Sequence, residues 1–228
     1  MRGSYSYARV PIRTHIVSEK DDIVDVVCRY VARVAEPGDC VAVSESAVAI
    51  SQGRAILSAR VKPGLFARFL CRFPKKHGSL ATPQAMQLAI REVGTARVLA
   101  AAVAAGLGRL FGVRGLFFRI AGPSIAAIDD IAGTLHPYEE HVVLGPRDPQ
   151  SVAEAIKRRT GLDSCIVDVN DLGNVDFLAA TDGLDRSGVS AALRDNPGGN
   201  DDEQTPIVVL KRRSRNAAPD SASRRGGP

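Results

Sequence analysis

The stretch "CIVDVNDLGN" (165–174) sets a run of β-forming apolar residues directly before Asp168, Asn170 and Asp171, and then turns at Gly173. Isoleucine and valine favour a buried strand, whereas a turn needs only one Asx residue and a glycine. The stretch therefore supplies more oxygen ligands than a turn requires. On these residues alone, a turn and a cation site at the end of a strand are both open interpretations.

Working outward, the chain alternates helical and strand patterns. Segment 82–94 has the residues that typically begin and end a helix, with Thr82 as N-cap, Pro83 in the first turn and Gly94 past the end. Segment 148–161 repeats this arrangement, with Asp148 as its N-cap. Apolar spacing predicts further helices over 23–35 and 95–112, the latter well buried. Strands are predicted over 40–51, 54–62, 115–122, 141–146, 165–171, 175–181 and 206–212.

These elements predict an α+β fold with mixed sheets and packed helices. Segment 141–171 reads as a strand, helix and strand, which is typical of a βαβ unit. A long polar loop is predicted between Leu184 and Pro206. We interpret 1–210 as a single unit, which divides further into interleaved subdomains of about 1–120 and 121–210.

The excess of positive charge lies at the C-terminus. Residues 211–228 hold six Lys or Arg and one Asp, so the rest of the chain is neutral. A nucleic-acid partner needs a basic stripe on the folded body, and this count excludes an excess there. We interpret 211–228 as a disordered basic tail.

No apolar stretch approaches the ~20 residues of a membrane span, so no membrane partner is expected. Because the start of the chain has no apolar segment behind Arg2 and the cysteines are scattered, we expect a cytoplasmic protein with reduced thiols. The cysteines are Cys28, Cys40, Cys71 and Cys165.

Three groups of carboxylates and amides follow predicted elements: Asp129 with Asp130, the 168–171 stretch, and 200–203. Mg²⁺ takes such oxygen ligands, usually with water and substrate phosphates. Asp129 with Asp130 reads equally as a helix cap, and "NPGG" (196–199) as a plain turn. An EF-hand is excluded because Leu172 and Ala179 stand where ligands belong.

The sequence contains no GxxxxGK[ST] phosphate loop and no GxSxG nucleophile elbow. The glycines of "GLGRLFG" (106–112) lie inside a helical pattern, where close packing is the expected reason for them. Segment 136–141 is polar and is interpreted as a surface loop.

Taken in order, six motifs resemble those of the coenzyme F-420 (8-hydroxy-5-deazaflavin) gamma-glutamyl ligase family. The resemblance covers about residues 9 to 212. The motifs are "THIVSEKDDI" (14–23), "VAVSESAVAISQGR" (41–54), "AAIDD" (126–130), "VLGPRDPQSVAEAI" (143–156), "VNDLG" (169–173) and "GNDDEQTP" (199–206).

The resemblance implies a metal-dependent amide-bond ligase. It would use GTP and Mg²⁺ or Mn²⁺ to join L-glutamate to the carboxylate of a small-molecule F-420 precursor, through an acyl phosphate. It also implies an intertwined homodimer. No catalytic side chain is assigned.

The resemblance also implies two sets of binding residues. The metal ligands would be Asp129, Asn170, Asp171 and Asn200. The nucleotide contacts would be Thr14, His15, Ile16, Val17, Ser44, Glu45, Ser46, Gly199, Asp201, Asp202, Glu203, Gln204 and Thr205. Asp168 falls outside both sets and is interpreted as structural.

The chain departs from the family pattern where a phosphate would lie. Ser46 stands at the position of the family's lysine, and Glu45 at that of the preceding serine. Two other readings therefore accompany the ligase: a metal-dependent enzyme on the same scaffold that uses another donor, and a non-catalytic binding protein that keeps the fold. The sequence does not identify the acceptor or the number of glutamates added.

Overall fold

The fold is described from a computed structural model, which describes residues 6–73, 80–129, 137–169, 173–199 and 203–213. Its strands are β1 (Ser6–Ile12), β2 (Cys40–Ser44), β3 (Ala55–Leu57), β4 (His141–Val143), β5 (Asp163–Val169), β6 (Val175–Ala180) and β7 (Ile207–Arg213). Its helices are α1 (Ile23–Val31), α2 (Glu45–Ser51), α3 (Leu65–Leu70), α4 (Pro83–Val93), α5 (Thr95–Leu110), α6 (Leu116–Ala121), α7 (Pro123–Ala126), α8 (Pro149–Thr160) and α9 (Arg186–Leu193). The α+β class with mixed sheets is confirmed.

The central sheet has the order β1-β7-β2-β5-β6. β2 and β5 run parallel, while the other neighbouring pairs run antiparallel. β3 and β4 form a separate antiparallel pair. The βαβ prediction for 141–171 is therefore wrong, because the parallel partner of β5 is β2 and not β4.

Each face of the central sheet carries its own apolar cluster. One face packs Val27 of α1 and Ile156 of α8 against Ile166 and Val209. The other face buries Leu193 of α9 with Cys165 and Leu210. A third cluster joins α3, α4, α5, α7 and β4 around Met86 and Ile125. Both faces of the five-stranded sheet are covered. A ligand site that is open to solvent is therefore expected where the strands of the sheet end.

The helices that have capping residues in the sequence were predicted well. The Thr82 side chain accepts a hydrogen bond from Ala85 N and begins α4, and the Asp148 side chain accepts one from Ser151 N and begins α8. Gly161 follows α8 with a φ of 75°, a left-handed conformation that suits a glycine. α1 is also confirmed, although it ends at Val31.

Several short apolar runs were assigned to the wrong element. Residues 45–51 form α2 and residues 116–121 form α6, where strands were predicted. Short apolar runs do not distinguish a strand from a helix, so tertiary packing decides. The predicted loop between Leu184 and Pro206 contains α9, capped by Asp185. His141 begins β4, so the predicted surface loop over 136–141 ends one residue earlier, and His136 lies outside the described residues.

α5 is not the well-buried helix that was predicted, since only Val98, Ala101 and Gly108 are buried along its length. These residues face α4 and α6, and the opposite stripe faces solvent. The expected close packing of "GLGRLFG" is confirmed at Gly108, where a Cβ atom would lie 2.4 Å from Leu116 Cδ1 of α6.

β7 continues through Lys211, Arg212 and Arg213, the first three residues of the predicted tail, because they pair with β1. Residues 214–228 lie outside the described part of the chain. The division into subdomains stays a prediction. All four cysteines lie within the described residues and are free.

Within the described ranges, no single helix is long and apolar enough to cross a membrane. α4 and α5 satisfy length and composition only as a pair, and they are bent by 115° at their junction.

Candidate functional site

The candidate site lies at one edge of the central sheet. β2 and β5 end there, and the antiparallel strands β6 and β7 begin there. In sheets containing parallel strands, ligands commonly bind beyond the carboxyl ends of those strands. Three sequence-predicted nucleotide segments meet at this edge: 14–17 after β1, 44–46 after β2, and 203–205 before β7.

Backbone hydrogen bonds hold these three segments together. Thr14 N donates to Gln204 O at 2.9 Å, and Ser44 N donates to Pro206 O at 2.8 Å. The Thr205 hydroxyl donates to Gly198 O, which closes the polar loop on itself. Gly199 has a φ of 72°, and a Cβ atom there would lie 2.4 Å from Glu203 Cδ. The glycine therefore lets the chain turn tightly beneath the Glu203 side chain.

Within segment 14–17, most side chains are already engaged by the protein. The His15 ring stacks on Tyr30, and its Nε2 atom lies 3.0 Å from Asp21 Oδ1. This hydrogen bond is the main reason that the pKa of Asp21 is lowered. Val17 is buried, and its carbonyl accepts a hydrogen bond from the Tyr138 hydroxyl. Ile16 is exposed.

Glu45 is the buried carboxylate of the site. It follows β2 directly as the first residue of α2, and it is 8% exposed. Burial, followed by the negative charges of Asp129, Asp168 and Asp176, raises the pKa of Glu45 to about 8. A carboxyl group with this pKa exchanges its proton near neutral pH.

Asp129 reaches the site from the segment after α7. Its backbone pairs with Val143 of β4, through hydrogen bonds of 2.8 and 3.0 Å. The Ser46 hydroxyl donates to Asp129 Oδ2 at 3.2 Å. Surrounding protein atoms and then Asp168 raise the pKa of the Asp129 carboxyl, and the Ser46 hydrogen bond opposes this change. The residue as a whole remains exposed, so solvent still reaches it.

Asp168 and Asp176 complete an acidic cluster that we define as Glu45, Asp129, Asp168 and Asp176. Asp168 of β5 lies directly opposite Asp176 of β6 in the antiparallel register. Like charges in this arrangement repel. Burial, followed by the charge of Asp176, raises the pKa of Asp168. The interpretation of Asp168 as a purely structural residue therefore misses its electrostatic role.

Sequence reasoning missed Asp176 entirely. Its only signal is the pairing of β5 with β6, because that register places it opposite Asp168. Of the predicted metal ligands, only Asp129 lies within the described residues; Asn170, Asp171 and Asn200 lie outside them. The predicted nucleotide contacts Asp201 and Asp202 lie outside them as well.

The acidic cluster fits a hard cation in charge and donor type, since Mg²⁺ and Mn²⁺ are held by carboxylate oxygens. Within the described ranges, no group of three or more His, Cys, Asp or Glu side chains is arranged to hold a metal ion. The predicted metal site therefore stays a prediction, because three of its four ligands lie outside the described residues.

The fold and this edge define an α+β protein with an anionic site at the carboxyl ends of its parallel strands. A family model for F420-0:gamma-glutamyl ligase matches residues 11–170, which is well over half of the chain. The protein therefore belongs to the F420-0:gamma-glutamyl ligase family. No curated protein matches the chain. Membership supports a ligase role in F420 biosynthesis, with small molecules such as glutamate as substrates.

Proposed function

We propose that this protein is a GTP- and divalent-cation-dependent ligase that joins L-glutamate to the carboxylate of F420-0 or of a related small molecule. The observation that carries the proposal is the family match over residues 11–170. It is supported by the gathering of segments 14–17, 44–46 and 203–205 beside the acidic cluster.

The chemistry requires charge neutralisation and positioning more than a protein nucleophile. Mg²⁺ or Mn²⁺, when bound, would neutralise phosphate charge during transfer of a phosphoryl group to the acceptor carboxylate. Asp129 would hold the ion together with Asn170, Asp171 and Asn200. The backbone of segments 14–17 and 203–205 would line the nucleotide, and displacement of phosphate by the glutamate amine would form the amide.

The direct experiment is mass spectrometry of F420-0 after incubation with the protein, GTP, L-glutamate and Mn²⁺. We expect a glutamylated product that requires all four components. The same F420-0 preparation is first shown to be glutamylated by an active ligase. If this protein then gives no product with it, the proposal is contradicted.

Replacing Asp129 with Asn should weaken Mn²⁺ binding at least tenfold, because the substitution removes a carboxylate charge while preserving the side-chain size. Calorimetric titration measures this affinity, and circular dichroism verifies the fold. Asp182→Asn, beyond the opposite end of β6, is the matched control and should leave the affinity unchanged. Equal Mn²⁺ affinity in Asp129→Asn and the parent protein would exclude Asp129 as a ligand.

A second candidate function is a metal-binding enzyme or binding protein that does not use GTP. The specific observation in its favour is Glu45, whose carboxylate lies where the family pattern has a serine, beside Ser46 in place of a lysine. An added anion and a missing cation disfavour a bound triphosphate. Titration with Mn²⁺ and then GTP separates the two functions, since this candidate predicts metal binding without nucleotide binding.

We also propose that the protein forms a homodimer through an apolar stripe on α5. The stripe consists of Leu99, Val103, Leu107 and Leu110, spaced by helical turns and 42%, 55%, 56% and 78% exposed. Arg109 of the same helix donates from Nη2 to Phe73 O at 3.4 Å, and Phe73 is itself exposed. Contiguous exposed apolar surface of this kind is typical of association sites.

Introducing glutamate at both Val103 and Leu107 should convert the dimer to a monomer, because two charges would then lie within the buried contact. Sedimentation velocity measures the change. Arg158→Glu, on the exposed side of α8, is the control and should remain dimeric. A parent protein that is monomeric at high concentration would contradict the proposed dimer.

A further inference from the structure

The charges of the protein are unevenly distributed along the chain. Residues 58–122 hold eleven Lys or Arg and one acidic residue, Glu92, which gives a net charge of +10. Residues 1–57 and 123–210 together hold 13 Lys or Arg and 23 Asp or Glu, which gives a net charge of −10. The part of the chain before the basic tail is therefore neutral in total but strongly polarised. Its positive segment is the one that contains α3, α4, α5 and α6.

The positive charge of segment 58–122 is not neutralised by neighbouring carboxylates. Nine of its eleven basic residues lie in the described part of the chain, and all nine are exposed. None of the nine forms an ion pair with another described residue. Glu92 is itself paired with Arg54, at 2.8 Å. The charge of this segment is thus available to an anionic partner.

The same segment exposes large apolar side chains. Of the large apolar residues that are exposed in the described part of the chain, all except Ile16 lie from Leu65 to Phe118. Four of them belong to α3 and the turn after it: Leu65 is 85% exposed, and Phe66, Phe69 and Phe73 are 57%, 55% and 53% exposed. None of these four belongs to the α5 stripe that we propose as the dimer contact. Contiguous apolar surface left in water is typical of an association site.

Packing fixes which side of α3 faces solvent. Ala67 and Leu70 are buried in the third apolar cluster, so the phenylalanines remain outside it. The rings of Phe69 and Phe73 pack edge-on, with 5.2 Å between their centroids. Arg68 is exposed beside them, and its Nε atom donates to Pro63 O at 3.3 Å, which leaves its terminal nitrogens for a partner. We define the aromatic-basic surface as Leu65, Phe66, Arg68, Phe69, Arg72 and Phe73.

The combination of apolar and basic side chains favours one kind of partner. Two copies of this surface in contact would bring their arginines together, and the acidic part of the chain exposes only Ile16 among its described large apolar residues. Single-stranded nucleic acid stacks bases on aromatic rings, but it offers nothing to Leu65, the most exposed of the four apolar side chains. An anionic bilayer matches both features, because it places negative headgroups directly above an apolar interior.

We propose that the aromatic-basic surface docks on an anionic lipid bilayer. Phe66 and Phe69 enter the boundary between headgroups and acyl chains, and Arg68 and Arg72 pair with lipid phosphates. The acidic remainder of the chain is repelled by the same headgroups, so the charge separation orients the protein on the bilayer. The expectation of no membrane partner concerned spanning segments, which a surface lying on the headgroups does not need. The proposal goes beyond the ligase function and depends on neither GTP nor a metal ion.

The test is co-sedimentation of the full chain with vesicles of phosphatidylcholine and phosphatidylglycerol, mixed at about two to one. We expect binding to these vesicles and at least tenfold weaker binding to pure phosphatidylcholine, because the attraction of Lys and Arg requires anionic lipid. Raising the salt concentration from about 0.01 M to about 0.1 M shortens the Debye length from about 30 Å to about 10 Å and should weaken binding. Equal binding to both kinds of vesicle, or no binding to the anionic ones, would overturn the proposal.

Two double variants separate the apolar contribution from the charged one. Phe66→Ser with Phe69→Ser should weaken vesicle binding at least tenfold and leave its salt dependence unchanged. Arg68→Gln with Arg72→Gln should weaken binding about as much and also reduce the salt dependence. All four positions are exposed, so the variants should fold, which circular dichroism verifies.

The control for net charge is Arg33→Gln with Arg158→Gln, which removes two exposed arginines from the acidic part of the chain. This variant should bind vesicles as the parent does. An equal loss of binding in the control and in Arg68→Gln with Arg72→Gln would overturn the proposal, because net charge and not the aromatic-basic surface would then be responsible.

Two further measurements test the other partners. A basic segment attracts any polyanion, so we expect the binding of a single-stranded RNA oligonucleotide to be unaffected by Phe66→Ser with Phe69→Ser. We also expect this variant to keep the oligomeric state of the parent in sedimentation velocity. Loss of RNA binding in the phenylalanine variant would identify a nucleic-acid surface, and a change from dimer to monomer would identify a contact between copies. Either result would overturn the proposal.

Discussion

Glu45→Gln is expected to raise the free energy of unfolding at pH 9 by several kcal/mol. The pKa of Glu45 is about 8 in the folded protein and 4.5 in its ordinary environment, and each pKa unit corresponds to about 1.4 kcal/mol. The folded state thus holds the Glu45 proton more tightly than the unfolded state. The contribution of Glu45 to stability is therefore largest below pH 4.5, falls as the pH rises through the interval from 4.5 to about 8, and is constant above it.

Glutamine resembles the protonated glutamate and does not ionise, so the variant should lose most of this pH dependence. Chemical denaturation at several pH values, with EDTA present, measures the effect. Asp182→Asn serves as the control and should follow the parent profile. A smaller slope should persist in Glu45→Gln, since the pKa values of Asp129 and Asp168 are raised as well. Parallel profiles for Glu45→Gln and the parent would show that Glu45 ionises freely in the folded protein.

The double substitution Glu45→Ser with Ser46→Lys is expected to tighten GTP binding at least tenfold. It restores the charge pattern that the resemblance assigns to these two positions, and it changes the local charge by two units. Two unit charges 4 Å apart interact by about 4 kcal/mol at an effective dielectric constant of 20. Even a fraction of this interaction gives a tenfold change, because that requires only about 1.4 kcal/mol.

Isothermal titration with GTP and Mn²⁺ measures the change. Asp182→Lys produces the same change in net charge at the opposite edge of the sheet, so it controls for long-range attraction of the nucleotide. A matching gain in Asp182→Lys would mean that net charge alone is responsible. Unchanged affinity in the double variant would show that positions 45 and 46 do not control nucleotide binding in this chain.

Local signals predicted a substantial part of the fold. α4 and α8 were predicted with their caps, because Thr82 and Asp148 accept hydrogen bonds from backbone groups only three residues away. β5 was predicted from its apolar residues, which lie between two covered sheet faces. Such features depend on neighbours in the chain, so a sequence pattern is sufficient to reveal them.

Pairing and packing over long distances were not predictable in this way. α6 resembles a strand in its sequence, yet it is a helix that packs where Gly108 of α5 allows close approach. β4 pairs with β3, whereas β5 pairs with β2, which lies more than a hundred residues earlier in the chain. No local periodicity encodes which strand becomes the partner.

The sequence by itself determined the α+β class, the capped helices, the family resemblance and the departures at Glu45 and Ser46. The tertiary structure alone decided that Glu45 is buried beside Asp129, Asp168 and Asp176, and that the phenylalanines of α3 stay exposed beside its arginine. The physical reason is that burial and charge coupling depend on distances through space. In "CIVDVNDLGN", Asp168 reads as a structural residue, and only the pairing of β5 with β6 makes it part of an acidic cluster.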